Sequence, residues 1–360
     1  TDYGEGLRRV ILEDSRIREV YDFRDSGVFE DATNYPAVVI LEDEPDRAAR
    51  EDNEIRCVRV KANTDGEDDR KLDEEIVTSV RENRGSPGYS DEFIDVFDYP
   101  QSKLSGDDYW ALMPPEELQV FEKLERQAPA TIGDVTDAVF QGIRTSANKI
   151  YVVDVLDANR IESDDTDGVV TVVPIGESQE YEIEADLLRP FLEGDEVKRW
   201  RGDWGGLHVV HPYYAEETDN GEVEAGLYSQ EYLSENLPKT WQFFLEHRDA
   251  LESREGDRFV GREDWYDFGY PKSMDRFENP KLIGAEIASE ATFMLDDVGS
   301  WYFKAAYGVQ LEPQYQDRTQ LFAGLLNSKA LDFYLKHYTS LKMGGYYKYT
   351  TNYLSPLPIS

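Results

Sequence analysis

Residues 6–23 read GLRRVILEDSRIREVYDF, and residues 36–43 read PAVVILED. Leu7, Val10, Ile11 and Ile17 keep helical spacing, and IREVYDF then turns to strand-like alternation. PAVVILED is a dense β-branched run of the kind expected in a strand buried on both faces. Helix, strand, turn and buried strand in that order are the ending of an open α/β domain. Working outward, IRCVRVKA predicts a further strand, KLDEEIVTSVREN a short helix, and GSPGYSDEFIDVF a loop punctuated by SPG. PPEELQVFEKLERQA predicts a helix with Pro at its start and Leu118, Phe121 and Leu124 on one face. The domain boundary is placed near Pro129, giving units 1–128 and 129–360.

In the second unit KIYVVDVL, VVTVVPI and EYEIE read as strands, and YLSENLPKTWQFFLEHRDALESRE as a long helix broken or started at Pro238. PKLIGAEIA, TFMLDD and WYFKAAYGVQLEP read as strands of one sheet. RTQLFAGLLNSKALDFYLKHYTS reads as an amphipathic helix with Leu321, Leu325, Leu326 and Leu331 toward a core. The expected class is mixed α/β and α+β.

The chain carries 75 Asp and Glu against 38 Lys and Arg, a net charge of −37. With 40% apolar and 12% aromatic residues, that acidity does not read as disorder. A halophile's carboxylate-solvated surface explains it best, and an acidic DNA mimic is the sharper alternative. One region escapes the bias. From residue 314 to 360 the acids are Asp317 and Asp332 and the bases Arg318, Lys329, Lys336, Lys342 and Lys348, so 5 − 2 = +3. Its centre is KMGGYYKYTTNYL, residues 342–354. A basic, aromatic patch kept within so acidic a chain points to an anionic partner.

One cysteine, Cys57, excludes an internal disulfide framework and a cysteine metal site, and fits a reducing compartment; a cytoplasmic protein is expected. His208 and His211 stand three apart with no Glu between them, which is not a zincin spacing; both read as satisfied structural histidines, and no metal site is expected. No run of 18 apolar residues predicts a membrane span. The chain begins at Thr1 without Met, which suggests a piece of a longer protein. No GxGxxG follows a strand, and neither a P-loop nor a GxSxG elbow is present. Residue pattern alone therefore stops at an acidic two-part α/β protein with a basic aromatic patch.

Six stretches in order resemble one family. VFEDATNYPAVVIL is similar to the end of the catalytic domain of adenine-specific DNA methyltransferases of the TaqI-like and type IIG class. TIGDVTDAVFQGIRTSANKIYVV is similar to the opening of that family's target-recognition domain. LLRPFLEGDEVKRW, DWYDFGYPKSMDRFENPKLIGAEIA, GSWYFKAAYGV and LFAGLLNSKALDFYLKHYTSLKMGGYYKYTTNYLSPLPI continue the pattern across nearly the whole chain. The resemblance implies a C-terminal remnant of a Rossmann-like methyltransferase sheet followed by a TaqI-like target-recognition domain. Such enzymes bind S-adenosylmethionine at a Gly-rich turn and methylate adenine at an NPPY motif. Neither motif is in this chain, and the nearest string, NPKL at residues 279–282, lies in the wrong half. The resemblance thus implies no cofactor and no catalysis here. S-adenosylmethionine would belong to the full-length parent, double-stranded DNA would be the partner, and an N-terminal catalytic part of the same polypeptide would do the chemistry. A stand-alone DNA-binding module without catalysis is the alternative.

Phe29 matches the family position whose ring stacks on a flipped-out adenine, which restores part of the stacking energy lost on extrusion; a core Phe at a strand end is the plainer reading. QGIRTSANK, residues 141–149, lies in an acid-free stretch. There Arg144 fits reading guanine or clamping a phosphate, Asn148 fits reading adenine or bracing the loop, and Thr145 and Ser146 suit phosphate oxygens, with Lys149 as a second base. The same stretch also reads as a capped turn. Lys304 and Tyr307 suit contact with a DNA backbone, although Tyr307 equally suits a core. Trp265, Tyr266 and Tyr270 read as packing, with one ring of that loop left to meet a base. In the final patch, Gly344 and Gly345 admit close backbone approach, Tyr346, Tyr347 and Tyr349 supply flat faces and hydroxyls, and Lys342 and Lys348 supply charge. A glycine hinge before a packed tail is the rival reading.

Overall fold

The computed structural model describes residues 2–24, 36–61, 74–107, 109–157, 168–217, 223–339, 341–342 and 344–359. The first unit opens with the helix Asp2–Asp14, which runs directly into the strand Ser15–Asp22. That strand pairs antiparallel with Ala37–Asp43 and parallel with Glu54–Val60, and Glu54–Val60 pairs antiparallel with Ile94–Pro100. Alternation in Glu54–Val60 and Ile94–Pro100 puts Ile55, Cys57, Phe97 and Tyr99 on one face, in the main core with Phe121. Val58, Val60, Ile94 and Val96 lie on the other, packed with Ile76 of the helix Glu74–Asn83. Burial pushes the Cys57 thiol up to about 12, so it is an inert core group.

Two expectations fail in this unit. Ala37–Asp43 is not buried on both faces: it is the edge strand of the sheet, and every residue in it is exposed. A β-branched run records that a strand is built for burial, not that its partner is present. The segment 85–97 is not all loop, because Ile94–Pro100 is a buried strand whose alternation outweighs the SPG turn before it.

The helix Pro115–Gln127 starts at Pro as expected and carries the first unit onto the second. Phe121 stacks on Tyr334 with ring centroids 4.3 Å apart, and Tyr334 donates to Glu125 at 3.1 Å. One continuous core runs from Ile17 to Ile359, and the C-terminal strand Pro358–Ile359 pairs back on Ala130–Thr131.

The second unit is a mixed body of sheets and helices. A six-stranded sheet runs in the order Tyr302–Phe303, Leu188–Leu192, Leu207–Val210, Val152–Val155, Val169–Pro174, Tyr181–Glu184. A four-stranded sheet runs Met294–Asp296, Lys281–Ala285, Ala306–Leu311, Thr136–Gln141. WYFKAAYGVQLEP is therefore split between two sheets. KIYVVDVL begins with a helical turn, Asn148–Tyr151, before its strand. The Pro238 helix is capped by buried Glu184, which accepts from the backbone N–H groups of Lys239 and Thr240 at 2.9 and 2.7 Å. The expected last helix is two, Thr319–Leu326 and Lys329–Tyr338, because Ser328 caps the second; Leu321 is exposed while Leu326 and Leu331 are buried. No described helix is long and apolar enough to cross a membrane.

His208 contacts the Gly206 carbonyl at 3.1 Å. His211 is not satisfied as expected. It is buried with both ring nitrogens lacking a hydrogen-bond partner, among Tyr213, Phe268 and Tyr302. Burial and then Arg189 push its pKa down to about 3, so it is a neutral core imidazole.

Candidate nucleic-acid interface

The strand Thr136–Gln141 delivers the QGIRTSANK loop to one edge of the four-stranded sheet, with Gln141 opposite Tyr307 and Tyr307 opposite Gly284. Ile143 then donates to the Phe303 carbonyl at 2.8 Å and drops into the core. Arg144 emerges exposed. Its backbone bridges antiparallel to Tyr270, whose N–H donates to the Arg144 carbonyl at 3.1 Å. Ser146 takes a left-handed φ of 57° and is exposed. Gly269 faces it so closely that a Cβ there would stand 2.0 Å from Ser146 Oγ.

Thr145 is corrected. Its relative exposure is 0%, its hydroxyl donates to Asn148 Oδ1 at 2.6 Å, and it accepts from the Ala147 N–H at 2.9 Å. It braces the turn and presents nothing to a ligand, and Asn148 spends its carbonyl oxygen on the same brace. Lys149 is exposed.

A buried arginine that sequence reading missed holds this loop. Arg254 donates to the carbonyls of Leu251 at 2.8 Å, Thr145 at 2.7 Å and Trp265 at 2.9 Å, and its guanidinium lies 4.2 Å from the Phe259 ring centre. The only sequence trace of this hub is an arginine beside aromatics, more than 100 residues from the loop it anchors. Trp265 and Tyr266 are core, as expected, while Tyr270 is 40% exposed. Tyr270 donates to Glu255 at 3.2 Å. Glu255, Gly256 and Asp257 are consecutively left-handed, with φ of 53°, 68° and 63°. A run of such residues costs backbone strain and is held only where its surroundings fix it.

Lys304 is half-buried and ion-paired to Glu193 at 2.7 Å, so most of its charge is spent within the chain. Tyr307 is half-buried; burial and then Glu286 raise its hydroxyl pKa, while Arg144 opposes them.

The KMGGYYKYTTNYL patch is a hairpin, Leu341–Lys342 against Tyr346–Lys348, and it joins the same region because Lys348 pairs with Ile287 at the end of the segment that follows Ala285. Gly344 and Gly345 take φ of 78° and 77°, so the turn itself demands glycine. Tyr346 is 46% exposed. Lys342, Tyr347 and Lys348 are half-buried, with the Lys336 ammonium 5.5 Å from the Tyr347 ring centre. Tyr349 is corrected: it is 1% exposed, donates to Asp332 at 2.7 Å, and has its hydroxyl pKa raised by burial and then by Asp332. It anchors the hairpin from beneath. Phe29 lies outside the described residues.

Of the sequence-picked positions, the structure thus leaves Arg144, Ser146, Lys149 and Tyr346 exposed, keeps Tyr307, Tyr347 and Lys348 partly open, and withdraws Thr145 and Tyr349. Both picked loops flank one sheet region. A cleft of about 310 Å³ lies beside the hairpin, with Val20, Arg59, Trp110, His337 and Tyr347 in its wall.

Residues 189–359 match the TaqI-like C-terminal specificity domain. The chain is 21% identical over 358 residues to the type II methyltransferase M.BstVI of Geobacillus stearothermophilus, covering 98% of this chain and 54% of the relative. It is 22% identical over 373 residues to the type II methyltransferase M.BanIII of Aneurinibacillus aneurinilyticus, covering 99% and 58%. The chain therefore spans little more than half the length of these curated relatives. Among solved structures, it is similar to the type IIL restriction-modification enzyme MmeI in complex with DNA (10% identity, TM-score 0.47, 98% of this chain and 36% of that one). It is also similar to the type IIG restriction endonuclease BpuSI (9% identity, TM-score 0.37, 100% and 38%).

Proposed function

We propose that this chain is the DNA target-recognition part of a restriction-modification methyltransferase that is adenine-specific and S-adenosylmethionine-dependent, acting in the cytoplasm. The match of residues 189–359 to a TaqI-like specificity domain carries this reading. The alignment of two type II methyltransferases along almost all of the chain supports it. Double-stranded DNA would lie across the face bearing Arg144, Ser146, Lys149 and the hairpin. Phe29 would stack on the extruded base. Units 1–128 and 129–360 divide the labour, the first completing a catalytic domain and the second choosing the sequence.

The chemistry belongs to a catalytic part that this chain does not contain. The sequence holds neither a Gly-rich turn after a strand nor an NPPY string, so its residues do not fit S-adenosylmethionine, and no step of methyl transfer is assigned to them. The edge strand Ala37–Asp43 supports docking to such a part. Val38, Val39, Ile40 and Leu41 are all exposed, and one backbone edge has no partner strand among the described residues. A long apolar edge strand left in water is an aggregation hazard that folded proteins avoid. A stand-alone module would leave it so, whereas a catalytic sheet continuing from this edge would cover it.

The test is binding of the intact protein to short duplexes by fluorescence anisotropy, with and without a randomised sequence, across a salt series. Sequence-dependent affinity is expected. Affinity that is equal on every duplex would refute the reading.

A further inference from the structure

Surface arginines in this acid-rich chain are mostly claimed by carboxylates: Arg47 by Glu51 at 2.7 Å, Arg262 by Asp264 at 2.5 Å, and Arg276 by Asp137. Arg144 is different. Its guanidinium makes no hydrogen bond or ion pair with any described residue, although the chain offers 75 carboxylates. It is nonetheless held in place. The guanidinium lies over the Tyr270 ring, 5.4 Å from its centre, and the backbones of the two residues are bridged. Tyr270 is fixed in turn by Glu255, which accepts its hydroxyl. Arg258 lies 5.7 Å from the same ring centre and donates to the Gly269 carbonyl at 3.2 Å, and Arg254 locks the Thr145 carbonyl next to Arg144. The backbone is left-handed on both sides of this cluster, at Ser146 and at Glu255–Asp257.

We propose that Arg144 is a guanine-reading residue, and that Tyr270, Arg258 and Glu255 are the positioning residues that aim it. This rests on the reading of the chain as a DNA target-recognition part and deepens it by naming a base. The physical case has three parts. A planar fork with five free donors matches the O6 and N7 acceptors that guanine presents in the major groove. A fork lying on an aromatic ring has lost rotamer freedom before binding, so less entropy remains to be given up when the base is met. A phosphate contact requires charge alone, and a flexible lysine would satisfy it; the strained, interlocked loop around Arg144 is more than that contact needs.

The experiment uses the intact protein. A randomised duplex pool first yields the preferred sequence, and duplexes altered one base pair at a time are then titrated with wild type, Arg144→Lys, Tyr270→Phe and Tyr270→Ala, with thermal melts as control. Wild type should lose roughly 5- to 150-fold in affinity when one particular G·C pair is changed, the equivalent of about 1–3 kcal/mol. Arg144→Lys keeps the charge and removes the fork, so it should abolish discrimination at that pair alone. Tyr270→Phe keeps the ring under the fork but loses the hydroxyl that Glu255 holds, so it should weaken discrimination at that pair only in part, and Tyr270→Ala, which removes the ring as well, should weaken it further at the same pair. Because Arg144 is exposed, Arg144→Lys should not change the melting temperature. A loss in Arg144→Lys that is equal on all duplexes would make the residue a phosphate contact and overturn the proposal, as would no loss at all. If wild type itself prefers no sequence, the target-recognition reading falls as well, and that result is distinct from the other two.

Discussion

Replacing Glu117 by Gln tests whether the two units are clamped into one body. Glu117 lies on the helix Pro115–Gln127 and is hydrogen-bonded to His337 Nε2 at 2.9 Å and to Arg59 at 3.3 Å, and Arg59 also reaches Asp95 at 3.3 Å. The clamp therefore ties the first sheet to the last long helix beside the Phe121–Tyr334 stack. Burial works against the charge, but the His337 hydrogen bond and the Arg59 guanidinium outweigh it and hold the carboxyl down at about 2, against an ordinary 4.5. The difference, 4.5 − 2 = 2.5, corresponds to an upper figure of about 3.4 kcal/mol at about 1.36 kcal/mol per unit. The Glu117 side chain is 33% exposed, so screening reduces this to roughly 1–2 kcal/mol. The sign follows from the direction. A carboxyl with a depressed folded pKa contributes fully above its unfolded value and loses that contribution as pH falls from about 4.5 to about 2. Melts of wild type and Glu117→Gln at a series of pH values are the assay. At neutral pH the variant should melt about 2–8 °C lower, given about 2–4 °C per kcal/mol for large domains. The gap should narrow as the pH falls below about 4.5. A gap that does not change with pH, or no gap, would refute the clamp.

Other outcomes follow from named interactions. Lys281→Met should destabilise by about 3–5 kcal/mol, because it leaves Asp296 buried without the ammonium that now stands 2.6 Å away; chemical denaturation measures it. Ile40→Lys should leave the melting temperature of the chain within about 1 °C, since an exposed edge position seldom contributes more than about 0.5 kcal/mol, yet it should abolish methyl transfer when the chain is joined to its catalytic part. Lys342→Glu with Lys348→Glu should weaken binding alike on all duplexes and shrink the salt slope by about one unit for each phosphate no longer neutralised, read by anisotropy across a salt series.

Local chemistry made much of this molecule legible. Pro115 at the start of a helix with Phe121 on its inner face, and the alternation of Glu54–Val60, act within a few residues and read directly. What stayed hidden depends on distant partners. Thr145 looked like a surface hydroxyl until Asn148 and the surrounding core enclosed it, and Tyr349 looked like a free ring until Asp332 took its hydroxyl. Arg254 and Tyr270 reach the Arg144 loop across more than 100 residues, a pairing no local pattern encodes. The composition of Ala37–Asp43 predicts burial because it answers to a partner surface, and composition does not say where that surface is.

The proposed function makes this chain the part that selects the DNA sequence. The most direct test exchanges the aligned region of a type II methyltransferase such as M.BstVI for this chain and sequences the methylated genome of cells that express the hybrid. The hybrid should methylate the sequence recognised by this chain's own protein and leave the relative's sites bare. A hybrid that still methylates the relative's sequence would contradict the account.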